Sequence, residues 1–302
     1  MNILLTSVGR RAYIIDYLRD VYKRLGLVGN IIATNSDMNT TAMSVADKAF
    51  ESPIIYDEKY IPFLLDICKS EKIDMLISLF DIDLMILAKN KSRFEEMGVK
   101  VIVSDENIIN ICNDKFEMLK YLKKINMPVP KTYIDLEEAL KGADFDKNSY
   151  ILKPRWGMGS LSIFEAENKK ELEVLYEKAK RSIQKSYLRF ESGADIDRAI
   201  LIQEKIIGDE YGLDIFNDFK GENLTVTVKR KLAMRSGETD IAKVIENKEL
   251  EGIGKKIAES LKHIGNLDMD ILFDGQKAYI IDMNARFGGG YPFTHSAGVN
   301  EL

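Results

Sequence analysis

The sequence predicts an α/β unit over residues 1–112 followed by an α+β unit over residues 113–302. Three observations predict this division. Short β-rich runs alternate with amphipathic stretches in the first unit, and the two prolines of "NMPVPKTY" (126–133) interrupt the pattern. Strands then dominate, and hairpins replace helical crossovers. A chain of 302 residues, 45% of them hydrophobic, is long enough to bury such cores.

The first unit is predicted to form a parallel sheet that is covered by helices on both faces. Its predicted strands lie at 2–7, 30–34, 74–78 and 99–103, and its predicted helices at 11–25, 59–70 and 81–98. Strand and helix in strict succession are typical of parallel sheets. The second unit begins with a helix at 114–125, and its predicted strands continue to a closing hairpin at 267–284.

Composition excludes several classes of protein. The net charge of −5 and the pI near 5.4 argue against a nucleic-acid binder. No apolar run approaches the ~18 residues that a membrane span needs, and the N-terminus is not a signal peptide, so we expect a cytoplasmic protein. Cys68 and Cys112 are expected to be buried thiols, and two histidines are too few for a histidine metal cage.

The stretch "LKPRWGMGS" predicts an anion-binding loop. Lys153 ends a predicted strand, and a loop with Gly157, Gly159 and Ser160 follows. Backbone N–H groups of such a loop can surround an anion while the lysine adds a point charge. A plain turn is the competing interpretation, in which Trp156 only packs against the loop.

The closing hairpin predicts a metal site. Asp282 and Asn284 lie two residues apart on one strand, so they share a face, and Arg286 continues it. Asp268 and Asp270 lie on the partner strand; a three-residue loop would place them beside Asp282, whereas a two-residue turn would place Asp270 on the opposite face. Carboxylate and amide oxygens at this spacing suit magnesium. A solvated edge with scattered acids is the alternative.

Five segments together resemble the ATP-grasp superfamily, in the form of the carbamoyl phosphate synthetase large subunit. They are "DKFEMLKYLKKINMPVPKTY", "ILKPRWGMGS", "QEKIIGDEYGLDIF", "GNLDMDILFDG" and "YIIDMNARFGGGYP", in the order of that family. The resemblance implies a Rossmann-like (pre-ATP-grasp) domain at 1–112 and an ATP-grasp domain at 113–302. Within the latter it implies a lid subdomain at about 129–203 and a C-terminal nucleotide- and metal-binding subdomain at about 204–302.

The resemblance also implies a role for each matching residue. It assigns nucleotide binding to one group, metal binding to a second and catalysis to a third. The nucleotide-binding residues are Lys115, Lys153, Gly157, Gly159, Ser160, Glu204, Lys205, Ile207 and Glu210. The metal ligands are Asp270, Asp282 and Asn284, with Asp268 as an alternative to Asp270, and the catalytic residues are Arg286, Arg235 and Lys153. The family usually has Glu where Asp282 stands, which is a departure.

The activity implied is ATP-dependent ligation with magnesium, or manganese, as the cation. A small carboxylate is activated as an acyl phosphate and captured by an amine or another nucleophile, such as a thiol. Phosphorylation of bicarbonate or carbamate is one alternative, and a non-catalytic ATP-binding regulatory protein is another. A dinucleotide-dependent oxidoreductase is disfavoured because "LLTSVGRR" has one glycine where that fingerprint has three. The expected partners are small molecules, with neither nucleic acid nor membrane, and a homodimer is possible for such a protein.

Overall fold

The structure is a computed structural model that describes residues 1–157, 159, 161–193, 195–235 and 237–302. All elements below belong to that part of the chain. The predicted fold class is confirmed: a parallel-sheet unit comes first, and antiparallel sheets follow.

The first sheet is parallel, with strand order β3-β2-β1-β4-β5. Its elements are β1 (Ile3–Thr6), α1 (Ala12–Leu25), β2 (Ile31–Asn35), α2 (Thr41–Val45), β3 (Lys48–Glu51), α3 (Tyr60–Ser70), β4 (Met75–Ser78), α4 (Asp81–Glu95) and β5 (Lys100–Ile102). Side chains of β1 alternate between two cores, since Leu4 packs with α3 and α4 while Ile3 and Leu5 pack with α1 and α2. The sheet is thus covered on both faces, as predicted; α2 and β3 were not predicted.

Two helices connect this sheet to the next. They are α5 (Glu106–Asn113) and α6 (Lys115–Lys124), and the predicted domain boundary at residue 112 falls in the last turn of α5. Asp114 caps α6, because its side chain accepts hydrogen bonds from the backbone N–H groups of Phe116 and Glu117. The cap fixes where α6 begins, and therefore where Lys115 lies.

The second sheet is antiparallel, with order β6-β9-β7-β8. It comprises β6 (Thr132–Tyr133), α7 (Leu136–Gly142), β7 (Tyr150–Pro154), β8 (Phe164–Ala166), α8 (Lys169–Lys185), α9 (Arg189–Ser192), the 3₁₀ turn Ile196–Arg198 and β9 (Ile200–Glu204). A separate core with Leu152, Tyr176 and Ile202 holds α8 against the sheet. This unit lies in the region expected to be a lid.

The third sheet has one apolar and one charged face. Its order is β12-β11-β10-β13-β14, formed by β10 (Asp209–Asn217), β11 (Asn223–Arg235), β12 (Glu238–Ile245), α10 (Lys248–Leu261), β13 (Gly265–Phe273) and β14 (Ala278–Asn284), followed by α11 (Tyr291–Ser296). Leu213, Met269 and Met283 pack into the core with α10. Their alternate neighbours, which include Asp214, Asp268 and Asp270, lie on the opposite face of the sheet.

A β-bulge decides which face the hairpin acids occupy. Phe273 pairs with Ala278, so the loop has four residues, and neither of the two loop lengths considered above is correct. That register alone would place Asp270 opposite Ile281. The register shifts between Asp270 and Ile271, which leaves Ile281 as the extra residue and pairs Asp270 with Asp282 and Asp268 with Asn284.

Two further observations concern the chain as a whole. None of the described helices combines the length and the apolar character that crossing a bilayer would demand. Cys68 and Cys112 are buried free thiols, as predicted, and burial raises the pKa of both.

Candidate functional site

Two adjoining cavities lie where the three sheets meet. The larger has a volume of about 440 Å³ and is lined by the second sheet, the β9–β10 connection and the closing hairpin. We call it the nucleotide cavity, after the ligand that the resemblance implies. The smaller, about 210 Å³, is lined by residues that follow strands of the first sheet, by the hairpin and by the glycine turn 288–290. We call it the substrate pocket, after the carboxylate substrate that the resemblance implies. Asp270 and Asp282 line both, so the hairpin forms a shared wall.

Each acid of this wall is paired with a basic side chain. Lys115 Nζ lies 2.5 Å from Asp282 Oδ1, and Lys231 Nζ lies 2.6 Å from Asp270 Oδ1. Burial raises the pKa of Asp270 above its ordinary value, and Asp268 and Asp282 raise it further, although Lys231 opposes the shift. The carboxylates of this wall therefore repel one another, and a bound cation would reduce that repulsion.

Lys115 and Lys153 enter the nucleotide cavity from different units. Lys115 is the first residue of α6 and is buried, not exposed on a helix surface. Lys153, near the end of β7, is also buried, and within the described part of the chain it has no carboxylate partner; its Nζ donates to Ile281 O at 3.4 Å. Burial lowers the pKa of Lys153 to about 8, with Lys115 contributing and Asp282 opposing. An anion in the cavity would meet two converging ammonium groups.

The glycine loop covers the cavity beside these lysines. Gly157 and Gly159 line it, while Ser160 lies outside the described residues. A Cβ on Gly157 would approach Pro154 Cβ at 2.8 Å, so this position has no room for a side chain. Trp156 stacks under the Arg155 guanidinium at 4.3 Å and packs with the core of the second sheet, as the packing interpretation expects.

The far end of the nucleotide cavity is formed by the β9–β10 connection. Glu204, Lys205 and Glu210 line it, together with Ile206. Ile207, which the resemblance assigned to this wall, does not line the cavity and is 83% exposed. In an extended segment neighbouring side chains point to opposite sides, so Ile206 takes the inward position and Ile207 the outward one.

Arg286 lies in the substrate pocket between two acids. Its Nη2 lies 2.8 Å from Asp81 Oδ2, and its Nη1 lies 3.1 Å from Asp268 Oδ2. Burial alone would lower the pKa of Arg286, but these two acids raise it above its ordinary value, so the cation is permanent. A Cβ on Gly288 would lie 2.2 Å from the Asp268 carboxylate, so glycine is required there for Asp268 to reach Arg286.

Sequence reasoning missed Lys231. It lies on β11, where its Nζ bridges Asp270 and, at 2.9 Å, Glu210 Oε1. Burial alone lowers its pKa, yet these two acids raise the pKa of Lys231 above its ordinary value. A Cβ on Gly212 would lie 3.1 Å from Lys231 Cε, so the neighbouring strand leaves space for this side chain. The available signal was the alternation of Lys229 and Lys231 on one strand face.

Arg235 does not join the site. Its side chain is 76% exposed and pairs with Asp240 on β12 at 2.6 Å. It lines neither the nucleotide cavity nor the substrate pocket, whereas Met234 and Gly237 line both. Strict alternation would place Arg235 on the same face as Lys231, but the register of β11 shifts on both sides of Ala233, so Met234 lines the cavities and Arg235 points outward.

The donor set fits magnesium held jointly with phosphates. Asp270 and Asp282 face each other across the hairpin, and Asn284 lies two residues further on the same face. Asp268 is instead opposite Asn284 and in contact with Arg286. Among the described residues, no three His, Cys, Asp or Glu side chains form a metal site by themselves. Magnesium commonly binds through one or two carboxylates plus substrate phosphates, which is the set available here.

The family follows from comparison with known proteins. A model of the ATP-grasp domain matches residues 112–290, and one of the PylC-like N-terminal domain matches residues 3–102. The chain belongs to the ATP-grasp family. It is 22% identical over 281 residues to the carbamoyl phosphate synthase large chain of Pseudothermotoga lettingae, a match covering 88% of this chain and 24% of that protein. This ATP-grasp chain thus spans about a quarter of the length of that curated relative.

Solved structures share the fold at low identity. The biotin carboxylase domain dimer of the 2-oxoglutarate carboxylase from Hydrogenobacter thermophilus, in complex with MgADP, ADP and bicarbonate, superposes with a TM-score of 0.76 and 20% identity, covering 99% of this chain and 67% of that one. The L-amino acid ligase of Bacillus licheniformis gives a TM-score of 0.73 and 17% identity, covering 97% and 70%. Both likenesses extend over the whole ATP-grasp chain.

Proposed function

We propose that this chain is an ATP-dependent ligase that activates a small carboxylate as an acyl phosphate for capture by an amine or another nucleophile. The observation that carries the proposal is the shared wall: Asp270 and Asp282 lie between a cavity with two lysines and a pocket with Arg286. A γ-phosphate at that wall would lie between nucleotide and carboxylate, as phosphoryl transfer requires.

The lysines would position the phosphates. Lys115 and Lys153 approach from one side of the nucleotide cavity, and Lys231 approaches from β11. Fixed cations around a transferring phosphoryl group stabilise the charge that develops in the transition state. Magnesium bound by Asp270, Asp282 and Asn284 would supply further neutralisation of phosphate charge.

Arg286 would act on the carboxylate side. Its guanidinium is held by Asp81 and Asp268 in one orientation, which keeps it ready without reorganisation. The turn 288–290 adds small residues to the same pocket, of which Gly289 and Gly290 line it. The reaction needs no protein nucleophile, because the carboxylate oxygen attacks the γ-phosphorus and ADP leaves.

The test is carboxylate-dependent ADP release with magnesium, over a panel of amino acids, other carboxylates and bicarbonate. Hydroxylamine added in the same assay converts an acyl phosphate to a hydroxamate and free phosphate. Detection of the hydroxamate therefore identifies an acyl phosphate intermediate. Stimulation by bicarbonate alone would favour carbamoyl-phosphate-type chemistry, which the curated relative supports. ATP binding without stimulation by any carboxylate would favour the regulatory binder and contradict the ligase.

A matched pair of variants tests the metal assignment. We expect Asp282→Asn to lower turnover about 10³-fold, because it weakens both the cation site and the contact with Lys115. Asp274→Asn is the control, since Asp274 lies in the loop of the same hairpin and accepts hydrogen bonds only from backbone N–H groups there. Equal activity of both variants would contradict the assignment.

The assembly is part of the same proposal. The relative from Hydrogenobacter thermophilus is described as a domain dimer, which supports a homodimer for this chain. Sedimentation of the purified protein at several concentrations tests it.

A further inference from the structure

Asp81 connects the first unit to Arg286 by an ion pair. It begins α4, directly after β4, at the carboxyl end of the parallel sheet. Its Oδ2 accepts hydrogen bonds from Nη2 and Nε of Arg286, at 2.8 and 3.1 Å. Asn113 Nδ2 donates to the backbone carbonyl of Asp81 at 2.9 Å and so fixes the start of the helix. The position of Asp81 is therefore rigidly set.

Among the described residues, the other carboxylate oxygen of Asp81 has no hydrogen-bond donor. Asp81 is 4% exposed, and its Oδ1 is buried without a hydrogen bond. A carboxylate oxygen buried without a donor costs free energy, so a donor is expected in the working protein. Asp81 lines the substrate pocket, and it also lines a neighbouring cavity of about 20 Å³ that has room for one water molecule.

The described lining of the pocket around Asp81 holds more acids than bases. Its described lining includes the acids Asp81, Glu238, Asp268, Asp270 and Asp282 and the bases Arg11, Lys231 and Arg286. Two bases outside this lining pair with its acids: Arg10 lies 2.6 Å from Glu238, and Lys115 lies 2.5 Å from Asp282. With these two bases the charges of the site balance, so a ligand that brought only a carboxylate would make the site net negative, whereas a zwitterion would not.

We propose that Asp81 is a specificity-determining residue whose Oδ1 accepts a hydrogen bond from a protonated amine on the carboxylate substrate. The substrate is then a small zwitterion, with its carboxylate toward Arg286 and its ammonium toward Asp81. A charge-assisted hydrogen bond to a buried carboxylate discriminates strongly between a ligand with the donor and one without it. This inference rests on the proposed ligase function and narrows its substrate class.

The experiment compares carboxylates that differ only by the amine: alanine with propionate, aspartate with succinate, and leucine with 4-methylpentanoate. For wild-type protein, at least one amine-bearing member is expected to exceed its amine-free partner in kcat/KM for ADP release by about tenfold or more. In Asp81→Asn the side-chain amide presents an N–H donor either to the pocket or to Arg286. The ratio of kcat/KM between the amine-bearing and the amine-free carboxylate is therefore expected to fall to about one, mainly through a higher KM for the amine-bearing carboxylate.

Asp268→Asn is the matched control. Asp268 also holds Arg286, at 3.1 Å, but in the part of the chain that the structure describes neither of its oxygens is among the buried atoms without a hydrogen bond. If Asp81 only oriented Arg286, both variants would lower kcat alike for every carboxylate and keep the preference. A bridging water between Asp81 Oδ1 and the equally unpartnered Asn113 Oδ1 would also leave the preference unchanged. Either result contradicts the inference about Asp81 and does not affect the proposed ligase function.

Two further outcomes separate the inference from the proposed function. Wild-type protein that no carboxylate stimulates overturns both, whereas stimulation by amine-free carboxylates alone overturns only the inference. Thermal unfolding is measured for each variant. If Asp81→Asn does not fold, Asp81→Ser replaces it and is expected to lose the same preference.

Discussion

Lys229 and Lys231 lie two residues apart on β11, face the same side of the third sheet and pair with acids of neighbouring strands, yet their surroundings differ. Lys229 is 2% exposed and contacts Asp214, which Thr294 of α11 also reaches. The pair is sealed, and neither member lines the nucleotide cavity or the substrate pocket. Lys231 is 7% exposed, and it lines the substrate pocket with its partner Asp270.

The difference is what packs over each pair. Helix α11 and the glycine turn cover Lys229, so its ion pair can only contribute to stability and to the position of α11. Lys231 instead lines the substrate pocket, so its charge is available to a ligand there. Identical residue types in neighbouring positions thus serve structure in one case and, on our proposal, chemistry in the other.

The substitution Lys231→Met tests this comparison most directly. We expect turnover to fall about 10²- to 10³-fold, because a fixed cation is lost beside the transferring phosphoryl group. The free energy of unfolding should fall less than for the Lys229 pair, since the Asp270 side chain is 23% exposed whereas that of Asp214 is fully buried. Steady-state ADP release and urea unfolding measure the two effects. A variant that loses stability but keeps turnover would make Lys231 structural.

Lys229→Met should show the opposite pattern. Removing one member of a buried ion pair leaves Asp214 charged and uncompensated, which typically costs about 3–5 kcal/mol of unfolding free energy. Turnover per folded molecule should stay within a few-fold of wild type. The double variant Lys229→Met/Asp214→Leu should recover most of the loss, because no unpaired charge remains. Failure of the double variant to recover would show that Lys229 acts through packing alone.

Of the four residues in this comparison, the sequence analysis predicted only Asp270. Alternating hydrophobic and polar residues located the strands and the faces, and the acids of the closing hairpin were found from their spacing. Lys231 was missed because alternate lysines on a strand also fit a solvated face. The bulge at Ile281 was missed because it depends on a four-residue loop, whose length the sequence left open. Asp81 was missed because a first-turn acid is ordinary in a helix.

Lys153 extends the comparison to a buried lysine without a carboxylate partner, and it should produce the smallest effect. Its pKa is about 8, whereas the partners of Lys231 raise the pKa of that residue. Below pH 8 Lys153 is charged and attracts phosphate; above pH 8 the free protein loses the proton, which a bound nucleotide would restore. Because the complex then binds more protons than the free protein, affinity for magnesium-free ADP should fall as pH rises, by up to about tenfold per pH unit. Lys153→Arg stays charged and should show constant affinity over about pH 7.5 to 9.5. Calorimetric titration of ADP across that pH range measures both affinities. If the wild-type affinity is as constant as that of the arginine variant, Lys153 keeps its proton over this range even without a carboxylate beside it.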